Sequence, residues 1–395
     1  MSALKGIRVL DLGTFIAGPY CATILGEFGA EVIKIEPPTT GDSLRRLGTN
    51  TECGDTFVWL SESRNKKCVT LNLQSERGQA ILKQLVAKCD IVVENYRPGT
   101  LEKWGLGYAE LKRINPGIIL VRISAYGQDG PMRSQPGFAR IAHAFSGLAY
   151  LSGEPGRVPV VPGSTSLADY MSGMYAAIGA LVALQARQST GEGQCVDMAL
   201  YESVFRVLDE IAPAYQKFGF VRERMGPDTV NVCPHSHYQT KDGRWVAIAC
   251  SNDLMWERLA KAMGQPELAS AEMYGPKEQR LAARDEVNRH VAKWIGSLDY
   301  QEVLATCKEF GAPAGLIYSI ADIFEDPQYK ARQNIQMHDS RIGEIAVPGV
   351  VPRLSATPGG INWLGQGLGA QNEEILGELG FDADSLEELK RQGII

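Results

Sequence analysis

The chain has 395 residues, 44% of them hydrophobic and 22% charged, which are ordinary globular values that exclude disorder, collagen and extended coiled coil. Forty Lys and Arg against 46 Asp and Glu give a formal charge of −6, without the broad basic face that most nucleic-acid binders carry. The longest apolar run, Tyr175 to Leu184, is short of the ~20 residues that span a bilayer, so it reads as a buried core helix, and no membrane partner is expected. Met1 to Gly6 holds no signal-peptide core. The eight cysteines form no Cys-x-x-Cys pair, so neither a disulfide framework nor structural zinc is expected, and a reducing cytoplasm is the natural location.

In chain order, Ile7 to Leu12 reads as a short strand, followed by a turn around Gly13, Gly18 and Pro19 and a helix from Tyr20 to Phe28. Glu31 to Glu36 is a second strand, ended by Pro37-Pro38, and Cys68 to Leu73 is a third. A helix follows from about Glu76 to Lys88, with Ile81, Leu82 and Leu85 on one side. Asp90–Glu94 and Ile118–Ser124 are further strands, with a short helix near Ala109 to Ile114 between them. Such repeated units predict an α/β fold with a largely parallel, doubly wound, Rossmann-like sheet. Ser164, Thr165 and Ser166 are the expected caps of the clearest helix, which starts at Leu167 and runs apolar to about Arg187. A second long apolar helix is expected from Met198 into the 210s. Beyond a polar, turn-rich stretch from Phe220 to Val232, a strand at Trp245–Cys250 and helices at Asp253–Met263, Arg284–Ile295 and Gln301–Phe310 form the expected rest of the chain's middle. The domain reading is 1–210 as a large domain and 225–330 as a smaller α/β domain. Residues 340–395, with short helices at Asn372–Leu379 and Leu386–Arg391, are too few for their own core and return to the first domain.

Common motifs fail. The turn Gly13-Thr-Phe-Ile-Ala-Gly18 is not G-x-G-x-x-G, although Glu36 ends the second strand where a ribose-binding acid would sit. No phosphate loop G-x-x-x-x-G-K-[ST] and no G-x-S-x-G elbow occurs. His235-x-His237 lacks the further ligands of a metal site; these are loop histidines, or they line a pocket for an anionic substrate.

Seven segments in order carry more weight. They are Leu10-Asp-Leu with Ala17-Gly-Pro19; Gly29 to Glu36; Asn65-Lys-Lys67; Val93 to Gly99; Ala125 to Pro131; Ala168-Asp-Tyr-Met-Ser-Gly173; and Thr190 to Gln194. In order and spacing the chain resembles, over nearly its whole length, the class III coenzyme A transferases, the family of formyl-CoA and carnitine CoA-transferases. Phe145-Ser-Gly147 and Leu200-Tyr-Glu202 lean toward the carnitine branch.

The resemblance implies that Asp169 is the nucleophile. A carboxylate can attack a thioester to give a mixed anhydride, and the released thiolate can then form an enzyme–CoA thioester, with no metal or organic cofactor. Near a helix start, backbone N–H groups and the helix dipole favour the ionised form of Asp169. The turn from Phe15 to Gly18 is the candidate source of oxyanion donors. By the same similarity Phe15, Ala17, Gly18, Leu71, Asn95, Tyr96, Arg97 and Lys103 are the expected CoA-binding residues. Ile16, Phe138, Arg140, His235 and His237 are the expected substrate pocket, with Arg140, Arg157 and the two histidines available for a second carboxylate. The chain departs from formyl-CoA transferase at Pro37, Gln74 and Pro136, where basic residues stand, and at Ile16, where a glutamine stands. Asp228 to His237 replaces that enzyme's polyglycine lid. Family members are homodimers of interlocked chains with the active site between domains, and their substrates are acyl-CoA and small carboxylates.

Two other readings compete. The racemases of the same fold use a proton-transferring His in a Gly-His-Asp-Ile-Asn-Tyr-like motif, but this chain reads Pro136-Gly-Phe-Ala-Arg140, so one proton partner is missing, and His143 reads as structural. A CoA-binding protein without chemistry is opposed by the intact Asp169, Ser172 and Gly173.

Overall fold

The computed structural model describes residues 2–395. Six strands form one parallel sheet: β1 Arg8–Asp11, β2 Glu31–Glu36, β3 Lys66–Thr70, β4 Ile91–Glu94, β5 Ile119–Ser124 and β6 Cys195–Ala199, in the order β3-β2-β1-β4-β5-β6. The strands β1, β2, β4 and β5 are almost entirely buried, as parallel strands covered on both faces must be.

The helices follow in chain order: α1 Ala17–Glu27, α2 Phe57–Glu62, α3 Glu76–Val86, α4 Thr100–Lys103, α5 Tyr108–Ile114, α6 Ala139–Phe145, α7 Leu148–Leu151, α8 Leu167–Thr190 and α9 Leu200–Phe205. One face of the sheet is covered by α3, whose Ile81, Leu82, Leu85 and Val86 join Leu10, Val69 and Leu120 in a core. The other face is covered by α1 and α8. These two helices meet through small residues, and at Gly173 a Cβ would stand 2.8 Å from the Ala17 carbonyl oxygen. Only glycine permits that approach, which fixes the start of α8 over the start of α1.

The chain divides into two compact units. The larger contains residues 1–148, 161–209 and 328–395; the smaller contains 149–160 and 210–327. In the smaller unit, the helices α10 Ile211–Phe218, α11 Asp253–Ala262, α12 Lys277–Ala282, α13 Arg284–Ile295, α14 Tyr300–Phe310 and α15 Ile320–Glu325 accompany an antiparallel sheet. That sheet is β7 His235–Gln239, β8 Trp245–Ala249 and β9 Ala314–Leu316, packed on a core around Trp256, Val287 and Val303. After α16 Pro327–Ala331 the chain forms an antiparallel hairpin, β10 Ile335–Ser340 and β11 Gly343–Pro348. It closes with α17 Asn372–Gly377 and α18 Ala383–Arg391. Ile375, Leu376, Leu389 and Ile394 enter the α3-side core of the large unit.

Two expectations need correction. Met198 does not begin a long helix: it lies in β6, a strand paired with β5, and only the shorter α9 and α10 follow. The apolar character of the segment is real, but its partner is a sheet edge. Likewise the run Tyr175–Leu184 is buried on one stripe only. Ala176, Ala177, Ala180 and Ala183 face inward, while Met174, Ile178, Leu181 and Val182 are 40–62% exposed. The α8 helix is long and apolar enough to cross a membrane by length and composition alone, yet its small-residue stripe is committed to α1. The outward stripe borders an apolar groove with Leu4, Ile24, Phe28, Val351 and Leu354.

Candidate active site

The strand order reverses between β1 and β4, and a doubly wound sheet opens a crevice at the carboxyl ends of the strands there. The crevice has an ionic floor. The parallel register sets Asp11 beside Lys34. Lys66 donates to Asp11 at 2.9 Å, and Lys34 pairs with Asp42 at 2.9 Å and lies 3.6 Å from Asp11. All four are buried. Burial alone would raise the Asp11 carboxyl, but Lys34 and Lys66 overcome it and hold the group below its ordinary value. Glu36 is no ribose ligand: it takes a two-pronged pair from Arg45 at 2.7 and 2.8 Å.

This floor shapes the turn after β1. Asp11, Asn95 and Asp42 accept the N–H groups of Gly13, Thr14 and Phe15 at 3.0, 2.7 and 2.9 Å. Asn95 also donates to the Thr14 carbonyl at 2.8 Å, and Lys34 donates to that of Gly13. Phe15 is thereby held at φ +60°, a left-handed conformation unusual for a bulky side chain. The turn then enters α1, whose first N–H groups have no partner within a helix. Those of Ile16 and Ala17 have no acceptor among the described residues.

Across from this turn stands Asp169, in the first turn of α8. Its carboxyl is half-buried and is pushed up to about 6 by that burial. No cation or hydrogen-bond donor among the described residues reaches it. Burial thus shifts the group in the opposite direction to the helix-start preference for the ionised form. A correction concerns capping. The Ser166 side chain makes no cap bond. The N–H of Ala168 is instead accepted by Nε2 of His143, at 3.0 Å. The Ala168 carbonyl accepts from Ser172 Oγ at 2.7 Å, and Ser172 in turn meets Ser203 at 3.0 Å. The Asp-x-x-Ser-Gly spacing thus has a local meaning, with Ser172 tying the turn and Gly173 allowing the approach to α1.

Two cavities of about 210 and 410 Å³ meet at Asp169, and both are bordered by Phe15, Ile16 and Phe138. The Phe15 and Phe138 rings pack edge to face at 5.9 Å. The first cavity lies at the strand ends and adds Thr14, Ala17, Asn95, Tyr96, Arg97, Gln135 and Leu200. The second adds Arg140, His143 and the Ser164–Ser166 segment. Among the expected residues, Asp169, Phe15, Ile16, Ala17, Asn95, Tyr96, Arg97, Phe138 and Arg140 are thus brought together. The remainder line neither cavity. Gly18 packs beneath the turn, where a Cβ would lie 3.3 Å from Gly13. Leu71 is buried in the α3-side core, and Lys103 ends α4 on the surface. His235 and His237 lie on β7 of the smaller unit.

The sequence reading missed the groups that build the site from behind. Glu94 is buried and pushed up to about 7 by that burial, against the pull of Arg122 at 2.7 Å; it accepts the Tyr96 N–H at 2.7 Å and so sets the Asn95–Arg97 turn. A buried acid at the end of a strand was the available signal. Among the described residues no cluster of His, Cys, Asp or Glu is placed to hold a metal ion.

The sequence profile of CoA-transferase family III matches residues 4–372. The chain is 53% identical to the alpha subunit of the succinyl-CoA–L-malate CoA-transferase of Chloroflexus aurantiacus, over 99% of this chain and 92% of that one. It is also 53% identical to the beta subunit of that enzyme, over 99% of this chain and 98% of the relative. Among solved structures, a CAIB/BAIF family protein from Brucella suis superposes with a TM-score of 0.84 at 32% identity, covering 96% of this chain and 99% of that one.

Proposed function

The chain belongs to CoA-transferase family III and is a CoA-transferase, and on that premise we propose that it moves CoA from succinyl-CoA to a hydroxylated dicarboxylic acid of the malate class, with Asp169 as covalent carrier. The observation that carries this reading is the position of Asp169 where two cavities join. A transferase must offer one carboxylate to a thioester on one side and to a free acid on the other.

The steps need no proton carrier. An Asp169 oxygen attacks the thioester carbonyl, the C–S bond breaks, and CoA thiolate leaves a succinyl–aspartyl anhydride. The thiolate attacks the aspartyl carbonyl, releases succinate, and forms the Asp169–CoA thioester. The acceptor carboxylate then displaces the thiolate to give a new anhydride. The thiolate attacks the acceptor's carbonyl, and Asp169 is freed as a carboxylate. The unpaired N–H groups of Ile16 and Ala17 are the donors for the oxyanion of each addition. A carboxylate without a cation nearby suits this work, because no ion pair must be broken before attack.

The Arg97 side supports CoA phosphate binding, and Arg140 in the larger cavity supports the distal carboxylate of a dicarboxylic substrate. The relatives named for L-malate favour that class over carnitine. The exposed stripe of Met174, Ile178, Leu181 and Val182 supports assembly with a second copy as an interlocked homodimer. The eight free cysteines support a reducing cytoplasm, and no organic cofactor is needed.

Incubation of the full-length protein with succinyl-CoA and a panel of acids, read by mass spectrometry of the CoA thioesters, tests the proposal. Malyl-CoA is the expected leading product. Transfer only to monocarboxylic acids would overturn the assignment of the acceptor.

A further inference from the structure

We infer that His143 is a positioning residue for the nucleophile: its Nε2 lone pair holds the Ala168 N–H and so fixes the backbone from which Asp169 projects. The inference rests on Asp169 as the nucleophile and goes beyond it, because among the described residues His143 bonds the backbone beside Asp169 and not its carboxylate.

The first turn of a helix has N–H groups with no partner in the helix, and serine or threonine at the preceding positions usually supplies one. Here Ser164, Thr165 and Ser166 stand ready, yet Ser166 makes no cap bond and the imidazole of His143, 25 residues earlier, takes the role at 3.0 Å. His143 is 1% exposed, so its ring is fixed by packing between α6 and the start of α8. Ala168 is held at its other end too, by the Ser172 hydroxyl on its carbonyl at 2.7 Å. The residue before Asp169 is therefore clamped at both polar groups.

This arrangement imposes one protonation state. A nitrogen that accepts a hydrogen bond carries no proton, so the proton of the neutral ring must sit on Nδ1. Nδ1 is buried, and no group among the described residues bonds it. Burial and the charge of Arg140, one turn earlier, both oppose the imidazolium, which could not accept the Ala168 N–H at all. The clamp matters because the Asp169 oxygen must meet a thioester carbon whose oxyanion is bound at Ile16 and Ala17. A misplacement of about 1 Å there slows a reaction on the order of a hundredfold.

Two variants of the full-length protein separate positioning from packing. H143F fills the space but cannot accept; H143Q can accept through its amide oxygen. With succinyl-CoA and L-malate, H143F is expected to lower kcat and the single-turnover rate of Asp169–CoA formation by about thirtyfold, with KM for succinyl-CoA within about twofold. H143Q is expected to recover kcat to within about threefold. Nitrogen-15 NMR of histidine-labelled wild type, with H143Q to assign the signal, is expected to show a protonated Nδ1 and a bare Nε2 at pH 7. A folded H143F with unchanged kcat, an H143Q as slow as H143F, or a protonated Nε2 would overturn the inference. If H143F fails to fold, the spectrum and H143Q still decide. A wild type that never labels Asp169 with CoA would instead sink the nucleophile assignment and leave the spectrum to report on the clamp.

Discussion

Two aspartates near the same crevice behave in opposite ways. Asp11, at the end of β1, is buried between Lys34 and Lys66 and is held ionised below its ordinary value. Asp169, at the start of α8, has no cation and is pushed up to about 6. The difference separates architecture from chemistry. Asp11 uses all its capacity to bind β1, β2, β3 and the Gly13 turn into one floor. Asp169 is positioned through its backbone while its side chain stays unpaired and open to both cavities.

The largest test of this contrast removes the floor. Asp11→Ala leaves two buried ammonium groups without their shared partner, a loss of about 3–5 kcal/mol. Denaturant unfolding should show that loss, or the protein should fail to fold; a change under 1 kcal/mol would mean that the ionic floor does not organise the site. Next comes the far wall. Arg140→Met should raise KM for L-malate by roughly 10–100-fold, the worth of a charged hydrogen bond, while KM for a monocarboxylic acceptor stays put. Equal changes for both acids would remove Arg140 from specificity. Gly173→Ala places a Cβ against the Ala17 carbonyl. Overpacking there should reduce stability by about 1–3 kcal/mol and lower kcat more than it raises KM, because α8 and the oxyanion turn are pushed apart. A last test concerns Asp169 itself. Its pKa is higher in the folded state than in the unfolded chain, so its ionisation destabilises the fold increasingly as pH rises from about 4 to above 6. Asp169→Asn should therefore be more stable than wild type by roughly 1–3 kcal/mol at pH 7.5, with the advantage gone near pH 4. The same titration predicts that kcat/KM of the wild type falls about tenfold between pH 7 and pH 5, because only the carboxylate attacks.

Much of this was legible in the sequence. Alternating strand and helix signals gave the first five strands of the sheet, because a parallel strand buried on both faces is written as a short apolar run with turn residues beside it. β6 was not legible. Cys195–Ala199 carries Asp197 at its centre and stands between apolar helices, so periodicity read through it. The proposal of Asp169 as nucleophile rests on the family resemblance alone, since an acid in the first turn of a helix is commonplace. Its environment was not legible, because burial without a cation depends on how α1, α6 and α8 pack. Asp11, Lys34 and Lys66 all stood within recognisable segments, but their meeting depends on strand register. The family resemblance implies a CoA contact at Asn95; its side-chain amide is bonded on both sides to Thr14, a tertiary relation that no local pattern carries.

The most direct measurement is chemical capture of the intermediate. The full-length protein is mixed with succinyl-CoA, quenched with hydroxylamine or borohydride, digested and mapped by mass spectrometry. Modification confined to the peptide containing Asp169, and absent in Asp169→Asn, is the predicted result. Turnover accompanied by an unmodified Asp169 peptide, or by a label on another carboxylate, would contradict the account.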